Sequence, residues 1–82
     1  MDNSDIRDKI KLFSKNKGLF IVADYKIPNG SIETARGRLT DVNKLTGDII
    51  ITHLKDERIS WGFNLRNLQN HKFSPVMNGG GE

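Results

Sequence analysis

The chain contains no cysteine. Disulfide bonds, thiolate zinc sites and cysteine nucleophiles are therefore excluded, and a reducing, cytoplasmic compartment is expected by default. No stretch approaches the roughly 20 consecutive apolar residues that span a bilayer, and the N-terminal segment lacks the pattern of a secretory signal. We therefore expect no membrane partner.

Patterns typical of catalytic sites are also missing. The sequence has no recognisable Ser-His-Asp arrangement, no glycine-rich phosphate loop before a helix, and no paired carboxylates near a histidine. Its two histidines, His53 and His71, stand apart without a second ligand at metal spacing, so they are expected to be structural or solvated. We expect neither an enzyme nor a metal or other cofactor, and no small-molecule substrate.

The chain is short and mildly basic. Its 82 residues include 13 Lys and Arg against 10 Asp and Glu, which gives a formal net charge of +3. A domain of this size buries only about 60% of its unfolded surface, so association with further copies of itself would add stability. The excess of positive charge is compatible with a polyanionic partner, and an ordinary solvated surface is the alternative.

Residues 4–16 are predicted to form a helix. Asn3 or Ser4 can cap its first turn, and acidic residues near its start and lysines near its end suit the helix dipole. One narrow apolar stripe follows helical spacing: Ile6, Ile10 and Phe13. A second face carries a basic row: Arg7, Lys11 and Lys15. Lys11 and Lys15 are candidate phosphate contacts, with a solvated helix face as the alternative.

After the predicted helix, the sequence changes to runs of β-branched and aromatic residues separated by short turns. Five strands are predicted, at about 19–27, 31–43, 48–54, 58–63 and 64–68. Gly37 falls inside the second strand, where a missing side chain predicts a sharp bend or the close approach of another backbone. The fold class is therefore mainly β with an N-terminal helix, its sheet curling into a small barrel over residues 4–73. The glycine-rich stretch 74–82 predicts a flexible tail.

Two stretches resemble the motifs of the Sm-like (LSm) family. In "ARGRLTDVN", Gly37 takes the place of the bend and Leu39 that of a core residue two positions on. In "ISWGFNLRNL", the spacing of the second motif is matched by four residues: Gly62, Asn64, Leu65 and Leu68. The likeness covers about Asp5 to Phe73, and within the family this compact, divergent chain resembles the Sm-like proteins encoded by phages, cyanophage in particular.

This resemblance implies an Sm-like fold, a strongly bent five-stranded antiparallel barrel of SH3-like type. It also implies a homo-oligomeric ring of about five to seven subunits, for example a pentamer, joined through the edges of strands 4 and 5. Such a ring binds single-stranded RNA near its central pore and acts in RNA processing or regulation. The expected location is the cytoplasm, or the host cytoplasm if a phage encodes the chain.

The resemblance also assigns candidate RNA-binding residues. Where the family has an Asp, a base-stacking side chain and an Asn in the loop after strand 2, this chain has Asn43, Leu45 and Gly47. Trp61 stands where the family has an Arg. The candidates are Asn43, Lys44, Leu45, Trp61 and Gly62, and Arg36 and Arg38 are candidate phosphate contacts.

Alternatives accompany these assignments. Trp61 is either a core or interface residue or a platform on which a base stacks. Arg36 and Arg38 can equally be an ordinary surface pair. For the whole protein, the alternative function is a structural or protein-interaction ring that has lost RNA binding. A monomeric peptide-binding barrel has no acidic or aromatic groove in the sequence to support it.

Overall fold

The computed structural model of the protein describes residues 3–74. One helix precedes five antiparallel strands: α1 (Asn3–Lys15), β1 (Phe20–Lys26), β2 (Ile32–Val42), β3 (Asp48–Thr52), β4 (Ser60–Asn64) and β5 (Leu68–Ser74). A single 3-10 turn, Leu65–Asn67, joins β4 to β5. The prediction of a mainly β chain with an N-terminal helix is confirmed. In this part of the chain, no helix has both the length and the apolar character needed to cross a bilayer.

The position of the last strand differs from the prediction of residues 64–68. Asn64 ends β4, and its side-chain oxygen accepts a hydrogen bond from the backbone N–H of Arg66 at 2.9 Å. This local bond competes with strand pairing and closes the 3-10 turn, so β5 begins only at Leu68. Ser74, which was expected to begin the tail, belongs to β5, and residues 75–82 lie outside the described residues.

The strands lie in the order β4-β3-β2-β1-β5, which leaves β4 and β5 at the two edges of the sheet. The early part of β2 pairs with β1 and its later part with β3, with a register shift between Leu39 and Asp41. At Gly37, β3 comes so close that an added Cβ would overlap the carbonyl oxygen of Thr52 and lie 2.7 Å from its carbonyl carbon. Of the two reasons that the sequence offers for this glycine, the structure shows the close approach of another backbone.

The sheet curls around its core. Tyr25 on β1 stacks on Phe63 of β4, with ring centroids 4.1 Å apart and planes 1° from parallel. Because two strands separate β1 from β4 in the sheet, this contact requires strong curvature. From α1, Phe13 is fully buried and meets Phe73 of β5 edge to face at 5.1 Å. Offset and edge-to-face ring contacts of this kind stabilise a small core beyond their buried area.

The contact between α1 and β5 includes a titrating group. His71 lies 5.2 Å from Phe13 and 5.6 Å from Phe73, measured between ring centroids. Partial burial lowers the pKa of His71, and the positive charge of Lys9 lowers it further. The unfolded chain, in which the pKa of His71 is near 6.5, therefore binds this proton more readily than the folded chain.

We accordingly expect the free energy of unfolding to fall as the pH drops below about 6.5. Urea unfolding followed by circular dichroism at pH 7.5 and pH 5 measures the change. His71→Gln should show a smaller loss between these two pH values, because it removes the titrating group. The carboxyl pKa values of Asp48 and Asp56 are lowered, so protonation of these two groups destabilises the fold only at more acidic pH. An equal loss in both proteins would contradict this assignment.

Candidate nucleic-acid interface

The turn between β2 and β3 is held by Asn43. Its side-chain oxygen accepts from the backbone N–H of Leu45 at 2.9 Å and of Thr46 at 3.2 Å. Its backbone carbonyl accepts from Gly47, which has a φ of +85° and so suits a residue without a side chain. Since these bonds use the oxygens of Asn43, its amide N–H groups are what it can offer to a ligand.

This turn is fastened to the segment that follows β4. The side-chain nitrogen of Asn64 donates to the carbonyl of Thr46 at 2.9 Å and to the carboxylate of Asp48 at 3.0 Å. The backbone N–H of Leu65 donates to the carbonyl of Gly47 at 2.8 Å. These bonds hold the β2–β3 turn against the start of the 3-10 turn.

A cleft of about 270 Å³ lies where α1, the β2–β3 turn and the 3-10 turn meet, and we call it the turn cleft. Its lining combines three cations with apolar and hydroxyl groups: Ile6, Arg7, Ile10, Lys44, Leu45, Thr46 and Arg66. Ion pairs within residues 3–74 join only Lys9 to Asp5 and Arg58 to Asp56, so none neutralises the three cations. The cleft therefore combines unpaired positive charge with apolar side chains.

One carboxylate lies close to this charge. Hydrogen bonds from Asn64 and Thr46 lower the pKa of Asp48, and the positive charge of Arg66 lowers it further. Asp48 is therefore ionised at neutral pH and fixed in position by its neighbours. The hydrogen bonds of Asp48 join it to the β2–β3 turn. Among the described residues, Lys44 and Arg7 therefore remain cations without a carboxylate partner.

The structure brings only some of the predicted site residues together. Asn43, Lys44 and Leu45 lie on the β2–β3 turn, and Leu45 is 94% exposed. Trp61 lies farther along β4, opposite Ile51, where it is half-buried and packs against the core. Trp61 lies three residue steps from Asn64, the end of β4 beside the turn, which is a span of about 10 Å. In the single chain, Trp61 does not belong to the turn cleft, and its packing agrees with the core alternative.

Arg66 is the cleft residue that sequence reasoning missed. Interpretation of "NLRNLQ" as a strand placed Arg66 on an edge strand, whereas the structure has it in the 3-10 turn beside the cleft. An Asn side chain that caps the next turn is a recognised signal, and Asn64 provides it. That Arg66 lines the same cleft as Lys44, which lies on a distant loop of the chain, has no local signal in the sequence.

The other basic candidates lie elsewhere. Lys11 and Lys15 are exposed on α1, where they continue the basic row that begins with Arg7 in the cleft. Arg36 and Arg38 are exposed on β2, on the surface of the sheet that faces away from the core. These two arginines therefore form part of a different surface from the turn cleft.

Gly62 lies on an exposed surface that the chain itself leaves open. A Cβ added there would meet nothing closer than the carbonyl oxygen of Ile49 at 3.7 Å, and Gly62 is not among the glycines with positive φ. Its partner across the ladder, Ile50, is 40% exposed. Glycine weakens a strand, and in a strand it often marks the close approach of another molecule.

The β4 edge presents unused backbone groups. Along the β3–β4 ladder, His53 donates to the carbonyl of Ile59, and Leu65 donates to that of Gly47. Antiparallel pairing alternates, so every second residue of β4 bonds to β3 and the residues between them point their N–H and C=O groups outward. Between Ile59 and Leu65, the outward-pointing residues are Ser60, Gly62 and Asn64.

The same alternation applies to β5. Leu39 donates to the carbonyl of Leu19 on the β1–β2 ladder, so the intervening residues of β1 face β5. By this alternation, the residues of β1 whose backbone groups bond to β5 are Phe20, Val22 and Asp24, which lie opposite Ser74, Lys72 and Asn70. On β5 itself, His71 and Phe73 are left with backbone groups that point away from the sheet. Each edge of the sheet thus presents a short row of backbone hydrogen-bond donors and acceptors.

No protein-family model, no curated protein and no solved structure matches this chain.

Proposed function

We propose that this chain is an Sm-like protein whose copies form a ring of about five to seven subunits that binds single-stranded RNA. Two features support assembly. β4 and β5 are opposite edges of one strongly curved sheet, and both carry outward backbone groups without a proline between Ser60 and Ser74. Pairing β4 of one copy with β5 of the next is a head-to-tail contact, which closes into a ring when the rotation per step divides the circle.

The turn cleft is the observation that carries RNA binding. Arg7, Lys44 and Arg66 can neutralise phosphates along a strand. The exposed Leu45 supplies an apolar contact for a base, and the amide of Asn43 can donate to a base edge. In a ring the cleft is repeated once per subunit, so a weak site gains affinity through multivalency.

A second candidate function is a structural or protein-interaction ring without RNA. Two observations at the cleft favour it. The side chain of Leu45 is neither an aromatic ring nor a guanidinium group, so a base cannot stack on it. The side-chain oxygen of Asn43 already accepts two hydrogen bonds from the backbone of the turn. The edge strands serve this function as well as the first.

Light scattering followed by titration with labelled U-rich and A-rich oligonucleotides tests both proposals. We expect a particle of five to seven subunits whose affinity for one of the oligonucleotides rises steeply as the salt concentration falls. A monomer would contradict the ring. A ring that binds neither oligonucleotide at low salt would contradict RNA binding and support the second candidate.

Arg66→Gln tests the cleft itself. The substitution removes a cation while leaving the backbone N–H that bonds to Asn64, so the 3-10 turn is preserved. We expect weaker binding of oligonucleotides of every sequence, together with a decrease of about one in the slope of log affinity against log salt. Lys26→Gln, at an exposed position at the end of β1, is the matched control and should leave both quantities unchanged. Equal effects of the two substitutions would remove the turn cleft from the proposal.

A further inference from the structure

A second cleft, of about 420 Å³, lies on the surface of the sheet that faces away from the core, and we call it the outer cleft. It is formed by the adjoining parts of β2 and β3 and by the turn that follows β3: Arg38, Thr40, Thr52, His53, Leu54 and Glu57. Its volume is in the range of pockets that hold small ligands. The outer cleft shares no residue with the turn cleft, and the length of β3, about 13 Å, separates the two.

The cationic group of the outer cleft is Arg38. It is exposed on β2, and the ion pairs found within residues 3–74 do not include it. Arg58, which follows Glu57 in the sequence, differs, because its guanidinium already bonds to both carboxylate oxygens of Asp56, at 3.0 and 3.2 Å. Arg38 therefore keeps its planar set of donors available for an oxyanion, which arginine binds in a two-point geometry.

Hydroxyl groups lie beside this cation. The hydroxyl of Thr40 donates to the carbonyl oxygen of Ile50 at 3.2 Å, and the Oγ1 atoms of Thr40 and Thr52 are 2.9 Å apart. Because Thr40 has only one hydroxyl hydrogen, Thr52 donates to Thr40, and the oxygen of Thr52 can accept a hydrogen bond from a ligand. The pair thus suits a ligand that carries hydroxyl or N–H groups.

His53 adds a donor whose tautomer is fixed by the turn. Its Nδ1 accepts from the backbone N–H groups of Lys55 and Asp56, each at 3.2 Å. A ring nitrogen that accepts carries no proton, so in the neutral imidazole the proton is on Nε2. His53, which lines the cleft, therefore has its hydrogen-bond donor at Nε2.

The remaining lining distinguishes this cleft from a simple anion site. Glu57 contributes a carboxylate, which can only accept hydrogen bonds and would repel a bare phosphate ion. Leu54, 50% exposed, contributes an apolar wall. A ligand that satisfies all of these groups needs an anionic end for Arg38, hydrogen-bond donors for Glu57 and an apolar face for Leu54.

We propose that the outer cleft binds a nucleotide. Its phosphate lies against Arg38, with His53 as a further donor. Its sugar hydroxyls or base N–H groups donate to Glu57, and one face of the base rests on Leu54. This inference goes beyond the proposed function, because the site is complete within one chain and requires neither the ring nor the turn cleft. The nucleotide can be free or can be one residue of an RNA strand.

Titration of the ¹⁵N-labelled full chain, followed by amide chemical shifts, tests the proposal. The probes are AMP, GMP, CMP and UMP, together with adenosine and inorganic phosphate. We expect at least one monophosphate to shift the amides of Thr52, His53 and Asp56. Adenosine and phosphate should bind that surface more weakly, because each lacks part of the ligand.

Arg38→Gln should weaken that binding by about tenfold or more, since a hydrogen bond to a charged group is lost. Arg36→Gln is the matched control, because it removes an exposed arginine from the same strand and surface but outside the outer cleft. The proposal is overturned if no monophosphate shifts these amides, if inorganic phosphate binds as tightly as the nucleotides, or if the two variants behave alike.

Short oligonucleotides identify the source of the nucleotide. If an RNA hexamer shifts the same amides at lower concentration than the monophosphates, the site holds part of an RNA strand. If only the monophosphates shift them, it holds a free nucleotide. Arg66→Gln should leave the shifts at Thr52 and His53 caused by monophosphates unchanged, so failure of the turn cleft and failure of the outer cleft are separately visible.

Discussion

Gly37→Ala is expected to remove most of the stability of this protein. The added methyl group would overlap the carbonyl oxygen of Thr52, which belongs to the backbone of the neighbouring strand and cannot rotate away. Relief of the overlap requires β2 and β3 to separate at the point where the sheet curves. We expect a loss of about 3 kcal/mol or more in the free energy of unfolding, a large part of the stability of a small domain. Urea unfolding followed by circular dichroism measures it.

Gly62→Ala is the control for this prediction. It adds the same methyl group to a neighbouring part of the sheet, where nothing lies closer than 3.7 Å. Replacing a glycine within a strand by alanine should change stability by less than about 1 kcal/mol, in the stabilising direction. If both variants unfold at the same urea concentration as the parent protein, the close approach at Gly37 is not a constraint on the fold.

Ser60→Pro is expected to convert the proposed ring into monomers. The backbone N–H of Ser60 points away from β3, so proline there leaves the β3–β4 ladder intact while it removes a donor from the outer edge. A ring repeats this loss at every seam, and the effect on assembly is therefore much larger than the effect on the single chain. Sedimentation velocity measures the size, and circular dichroism shows that the sheet persists.

Ser60→Ala is the matched variant, since it removes the hydroxyl but retains the N–H. It should assemble as the parent protein does. A folded Ser60→Pro protein that still sediments as a ring would show that this edge is not the seam. If the Ser60→Pro protein does not fold, Gly62→Val tests the seam in its place. This substitution keeps all hydrogen bonds but places two methyl groups on the surface that a neighbouring copy would cover.

Local patterns predicted much of the fold. The spacing of Ile6, Ile10 and Phe13 indicated the buried side of α1, and Phe13 is fully buried in the core. Gly37 within an extended run indicated a special backbone position, and the structure gives the reason. The buried side of α1 could be inferred because it depends on neighbours within two turns of helix. For Gly37 the sequence marks the position but does not show which strand approaches it.

The end of β4 could not be placed in the same way. Residues 64–68 alternate in polarity as a strand does, but one side-chain hydrogen bond from Asn64 outweighs that alternation and makes a 3-10 turn. The error moved β5 by several residues. It also hid Arg66, whose position near Lys44 depends on contacts between parts of the chain far apart in sequence.

The hydrogen bonds from Asn64 and Leu65 to the β2–β3 turn also have a thermodynamic consequence. They connect the loop that carries Lys44 to the segment that leads into β5, so the proposed RNA site and the proposed subunit seam share one continuous stretch of chain. If ordering this stretch favours both events, ligand binding and assembly promote each other by the same factor. The affinity for RNA would then depend on protein concentration, and RNA would hold together rings that dissociate on dilution.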